Sequence, residues 1–229
     1  MEKIPVHIDI VSDVVCPWCF VGKKNLEQAI GMAEGQYDIT IQWHPFQLDP
    51  KIPEAGLPAR PYFEQKFGSA AAVDNVYSQM KKIGENVGIH FNLGSIPKAV
   101  NTFSLHCLMQ QAAVEGFQHD LGTAFFKAYF ENALDLSDLD VISTVCAPFG
   151  WSKDRIQAIL SDQSLRQAVE QSIRYAYSTG ISGVPFFIIN QRMALSGAQP
   201  PEAFMQALAQ VTPATAEEAA ACDMENGEC

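Results

Sequence analysis

The chain has 229 residues, 48% of them apolar and only 18% charged, the profile of a packed core rather than of a charge-rich disordered segment. Its 15 basic against 26 acidic residues give a net charge of −11, so a phosphate backbone or an anionic lipid surface finds nothing to drive counterion release, and roles on nucleic acid or on membrane surfaces are excluded. At ~100–200 residues per domain, the length allows one large domain or a small one that carries a big insertion.

In chain order, Val6, Ile8 and Ile10 alternate with His7, Asp9 and Val11, a period of two that predicts a first strand over Pro5 to Ser12. Asp9 and Asp13 stand where a signal peptide would need an apolar run. No stretch approaches the ~20 apolar residues of a bilayer span. The chain also lacks an Asn-x-Ser/Thr acceptor, and a cytoplasmic protein is expected. From Pro17 onward Phe20, Val21, Leu26, Ile30 and Met32 recur at helical spacing, so a helix opens at Cys16 and ends between Gly31 and Gly35. Tyr37 to Phe46 alternates again, with Ile39, Ile41 and Trp43 on one face, and completes a β-α-β unit with a right-handed crossover.

After the Pro- and Gly-containing stretch from Pro50 to Pro61, helical patterns cover Tyr62–Gly68, Ala70–Val87, Pro97–Glu115, Gln118–Asn132, Asp138–Phe149, Lys153–Leu160 and Leu165–Thr179. Ser69, Ser137, Ser152 and Ser164 are the expected N-caps, each hydroxyl accepting from an unpaired first-turn N–H. This reads as an all-helical block. Strand chemistry returns at Pro185–Asn190 and Arg192–Ser196, followed by a helix over Pro200–Val211. The fold class is therefore α/β. Residues 1–50 and 180–211 form one discontinuous domain, residues 51–179 a helical insertion and residues 212–229 an acidic tail. That tail holds Glu217, Glu218, Asp223, Glu225 and Glu228 with no basic residue.

Six cysteines stand at 16, 19, 107, 146, 222 and 229. Only Cys16-Pro17-Trp18-Cys19 is a tight pair, and it falls where a strand hands over to a helix. The unpaired N–H groups of the first turn and the positive end of the helix dipole stabilise a sulfur anion there. Pro17 suits this place because its missing N–H would go unsatisfied anyway. Cys16 is expected at an exposed tip as the attacking thiol, with Cys19 one turn later and more shielded as the resolving thiol. A zinc site would need two more ligands, and Cys222 and Cys229, with six residues between them, do not have the usual spacing, so no metal is expected. Cys107 and Cys146 read as small buried hydrophobes, and His44, His90, His106 and His119 as packing or surface groups, His106 being the one candidate to face the site. Far downstream, Gly183-Val184-Pro185 opens a strand with a proline, which costs a ladder donor. A cis bond there would turn the backbone of Val184 toward the thiols, ready to pair with an extended substrate.

These pieces together resemble the DsbA-like branch of the thioredoxin superfamily. Within it, Trp43-His44-Pro45-Phe46-Gln47-Leu48-Asp49-Pro50, Asn101-Thr102 with His106, and Ser196-Gly197-Ala198-Gln199-Pro200 resemble the FrnE-type proteins, over about residues 5 to 211. The resemblance implies a thioredoxin fold with an inserted helical domain and thiol–disulfide exchange through Cys16 and Cys19. It further implies a cis-proline at Pro185 and substrate contacts from Pro17, Trp18, Val184 and Pro185. The implied substrate is a disulfide-containing protein or small thiol, with no bound cofactor. A neighbouring branch of 2-hydroxychromene-2-carboxylate isomerases and kappa-class glutathione transferases generally carries serine in place of the cysteine pair. It keeps a glutathione-dependent isomerase or transferase open as the alternative, with glutathione as co-substrate. Some FrnE-type proteins carry a second cysteine pair near the C-terminus, a role Cys222 and Cys229 would fill.

Overall fold

The computed structural model describes residues 3–33 and 35–211. Strand β1 (Ile4–Ser12) runs into helix α1 (Pro17–Met32), and strand β2 (Tyr37–Pro45) returns parallel to β1 with Ile8 opposite Ile41. The helical insertion follows: a two-residue strand β3 (Leu57–Pro58), α2 (Ala59–Phe67), α3 (Ala70–Asn86), a second two-residue strand β4 (Lys98–Ala99) and α4 (Phe103–Glu115). It continues through α5 (Gln118–Phe126), which widens into a π turn over Lys127–Glu131, then α6 (Leu139–Cys146), α7 (Lys153–Ser161) and α8 (Gln163–Ser178). Strands β5 (Phe186–Ile189) and β6 (Met193–Ser196) and helix α9 (Pro201–Val211) close the described chain. The sheet order is β2-β1-β5-β6, with β5 antiparallel to β1 and to β6.

The sheet carries its own local logic. The β5–β6 hairpin turns at Asn190 and Gln191, both at positive φ, the geometry that matches the twist of the flanking strands. Asn190 fastens this turn to β1: its N–H donates to the His7 carbonyl at 2.8 Å and its Oδ1 accepts from the His7 N–H at 2.7 Å. On the other side β2 would be a bare edge. The amide of Gln118, on α5, donates to the Trp43 carbonyl and accepts from its N–H at 3.0 and 2.9 Å, which blunts that edge.

The insertion departs from the sequence reading in three places. It is not all helical, because Leu57–Pro58 pairs antiparallel with Lys98–Ala99, a ribbon too short to show a period. The helix expected from Pro97 starts at Phe103, since Lys98 and Ala99 are in that ribbon and Oδ1 of Asn101 accepts the Phe103 N–H at 2.9 Å. Ser69 and Ser152 cap α3 and α7 as expected, accepting from Ala72 and Arg155. Ser137 and Ser164 do not cap; Asp138 and Asp162 do. A carboxylate accepts more strongly from a first-turn N–H than a hydroxyl does.

The core joins both parts. Phe20 of α1 is fully buried and stacks on Phe126 at 5.1 Å between ring centres, with Phe91 edge-on at 6.2 Å. Each such ring pair adds about 0.5–1.5 kcal/mol beyond its area, so α1 is fixed to the insertion as well as to the sheet. The tail calls at Cys222 and Cys229 lie outside the described residues.

Candidate active site

Cys16 is the N-cap of α1: its φ of −92° and ψ of 112° are extended, and Pro17 takes the first helical position. Its carbonyl accepts from the N–H of Cys19 at 3.0 Å and of Phe20 at 3.3 Å, and its own N–H donates to the Asp13 carbonyl at 3.0 Å. The turn before the helix and the first turn within it thus converge on one residue. Cys19 sits one turn on, and the two are free thiols.

Cys16 is not at an exposed tip. It is only 3% exposed, against 1% for Cys19. The physical reason is the loop before β5, which comes down over the helix start. Cys16 Sγ donates to the Val184 carbonyl at 3.5 Å, across 168 residues of sequence. The Val184–Pro185 peptide is cis. What access Cys16 has is through a cavity of about 480 Å³ between the start of α1 and helices α2 and α3, lined by Cys16, Pro17, Trp18, Gly183 and Val184 among others. Trp18 stands 45% exposed beside it.

The two thiols differ electrostatically. Burial pushes the Cys19 thiol well above its ordinary range, and its contact with Cys16 and the charge that Cys16 can carry push it further. Ser12 and the backbone of Asp13 pull the other way, with smaller effect. Cys19 is therefore held as a proton-bearing thiol until its neighbour changes state. Cys107 and Cys146 are lifted as well, to about 11 and about 12, in both cases chiefly by burial. These two lie away from the cavity lining.

Three residues that shape the site were not assigned to it in the sequence. Asp13 is 1% exposed; its Oδ2 accepts the Leu48 N–H at 2.8 Å, while Oδ1 accepts no hydrogen bond and lies 3.5 Å from His106 Nε2. His106, the histidine singled out in the sequence, is itself buried, and its Nε2 donates to the Phe46 carbonyl at 2.9 Å. It thus backs the site from behind Asp13. A carboxylate inside the apolar run from Val11 to Val15 was the available signal for Asp13. Gly22 is the second: a Cβ there would come within 3.0 Å of Pro185 Cγ and 3.1 Å of Phe187 Cζ, so glycine lets α1 lie against the proline loop. Lys23 is the third, a lysine only 1% exposed, whose Nζ donates to Glu27 at 2.5 Å. Burial pulls Lys23 down despite that partner. Burial alone would raise Glu27, but hydrogen bonds from His119 and Lys23 hold it at about 2. His119 Nδ1 accepts from Trp43 Nε1 at 3.3 Å, which leaves Nε2 to donate to Glu27 at 3.1 Å. This chain of bonds ties α1 to β2 and α5.

The chain is similar to several known proteins. YwbO of Bacillus subtilis, described as uncharacterized, is 26% identical over 216 residues, which are 89% of this chain and 96% of that protein. The crystal structure of a probable DsbA oxidoreductase from Streptomyces coelicolor is 27% identical and matches with a TM-score of 0.81 over 90% of this chain and 89% of its own. The cytosolic disulfide reductase DsbM of Pseudomonas aeruginosa, solved with GSH, shares the fold at 16% identity and a TM-score of 0.62, over 89% of this chain and 98% of its own. The profile of the DSBA-like thioredoxin domain matches residues 7–209, a span that holds the strand–helix handover and the proline loop alike, and the chain therefore belongs to the DsbA-like thioredoxin-domain family.

Proposed function

We propose that the protein is a cytoplasmic dithiol–disulfide oxidoreductase, in which Cys16 attacks a substrate disulfide, Cys19 resolves the mixed disulfide and the Val184–Pro185 loop aligns the substrate. The observation that carries this reading is the placement of two free thiols one turn apart at the start of α1, with the Val184 carbonyl 3.5 Å from Cys16 Sγ. A thiolate at Cys16 displaces one sulfur of the substrate and forms a mixed disulfide. Cys19, its proton released, then attacks Cys16 Sγ and expels the second substrate thiol, leaving a Cys16–Cys19 disulfide. The raised Cys19 thiol suits this order, since it stays protonated while Cys16 reacts. No bound cofactor is called for in these steps; the electrons come from the two cysteines. The family supports the chemistry, and the name of the Pseudomonas reductase supports both the chemistry and the compartment.

Reduction of insulin by the protein with a dithiol reductant tests the reading. Cys16→Ser should abolish turnover, and Cys19→Ser should trap a mixed disulfide visible by mass. Turnover that survives Cys16→Ser overturns the reading. Full turnover in Cys19→Ser would move it to a monothiol, glutathione-linked mechanism of the isomerase or transferase kind.

A further inference from the structure

A cleft of about 480 Å³ is kept open beside Cys16. That volume lies within the range of sites that enclose a small organic molecule. Its wall on α3 is Val76, Met80 and Ile83, at helical spacing, and Tyr129 contributes from the far side. Three side chains of the lining, Trp18, Leu48 and Phe67, are 45%, 40% and 39% exposed. The entrance is thus apolar too, and apolar residues left in water around an opening mark a place where something binds.

The charged residues of the lining narrow the occupant. Lys66 is its single basic residue, set against the carboxylates of Asp13 and Asp49. Lys66 is also engaged, its Nζ donating to Tyr62 Oη at 3.3 Å while Tyr62 donates to Asp49 at 2.9 Å. A polyanionic disulfide such as that of glutathione would meet more negative charge than positive. Resting on the oxidoreductase reading above, we propose that the cavity admits a small, uncharged, largely apolar disulfide, aromatic or alkyl, and delivers one of its sulfurs to Cys16. The Cys16 thiolate forms a bond to that sulfur as the substrate S–S bond breaks, and the first substrate thiolate leaves and takes up a proton. Cys19 then closes the protein disulfide and releases the second thiol. One disulfide and two protein thiols become two small thiols and the Cys16–Cys19 disulfide, which an external dithiol reduces again.

Two measurements test this. Dipyridyl sulfide, the thioether that cannot exchange, should bind the Cys16→Ser protein in calorimetry at one saturable site, whereas glutathione disulfide should give no heat. In the wild-type protein under a dithiol reductant, the ratio of kcat/KM for dipyridyl disulfide to that for glutathione disulfide should fall at least tenfold in Val76→Trp, which fills the α3 wall. Absence of thioether binding, or an unchanged ratio in a folded Val76→Trp protein, overturns the proposal. Should that variant not fold, the binding experiment decides alone. Exchange that depends on Cys16 but ignores the cavity would sink this inference and leave the oxidoreductase reading standing; exchange that survives Cys16→Ser would sink the latter.

Discussion

Helix α1 meets the rest of the molecule through two surfaces of opposite character. Along its flank, Gly22 lies so close to Pro185 and Phe187 that a methyl group would press on both, and Phe20 is locked among three other rings. Beside its first turn, toward α2 and α3, about 480 Å³ is left open. Sulfur exchange needs atoms held within fractions of an ångström, whereas recognition needs space. The chain separates these demands by little more than one turn of a single helix, so the reacting groups stay fixed whatever the space beside them holds.

The largest effect expected from disturbing this contrast is on the packed flank. Phe20→Ala should cost about 3–5 kcal/mol in urea unfolding, the usual range for a phenylalanine lost from a core. A cost below about 1 kcal/mol would mean that the flank is no better packed than the open side. Next comes Gly22→Ala. Helix propensity alone favours alanine by about 1 kcal/mol, yet the contacts at 3.0 and 3.1 Å are tight enough to force a shift, and overpacking costs about 1–3 kcal/mol. The expected outcome is a net loss of about 1 kcal/mol with a severalfold drop in insulin reduction, because the proline loop moves away from Cys16. A stabilised and fully active Gly22→Ala would show the contact to be slack.

The smallest effect concerns pH. Cys19, Cys107 and Cys146 all have thiols raised by burial, the last two to about 11 and about 12. A raised value in the fold means the native state holds its proton more tightly than the unfolded chain. The associated stability is complete well below the unfolded thiol value, at about pH 7, and is lost as pH climbs from there through the folded values. In the presence of a reductant, stability should fall by about 1 kcal/mol between pH 7 and pH 9, as three unfolded thiols begin to ionise. Cys146→Ala should flatten that slope by about a third. A profile level from pH 7 to pH 10 would contradict the dryness of these sites.

Strands β1 and β2, nine residues each, and helix α1, sixteen, were legible in the sequence because their patterns are long, and Cys16 and Cys19 were legible because the pair falls at the junction of two such patterns. The β3–β4 ribbon was not, since two residues on each side have no period to read. The caps at Asp138 and Asp162 were missed by one and two residues because acidic and hydroxyl residues stand side by side there. The burial of Cys16 could not be read locally at all. It comes from Val184, and a contact over such a separation leaves no mark in the residues around either partner. The cavity has the same origin, being assembled from α1, α2, α3, the π turn at Tyr129 and the loop at Gly183 and Val184.

The separation between Cys16 and the carbonyl that covers it also governs how the protein is made. At ~5–20 residues per second, a ribosome needs roughly ten to thirty seconds to go from one to the other. Through that interval the nascent chain lacks the carbonyl that covers Cys16 Sγ, which arrives only with the loop before the last strands.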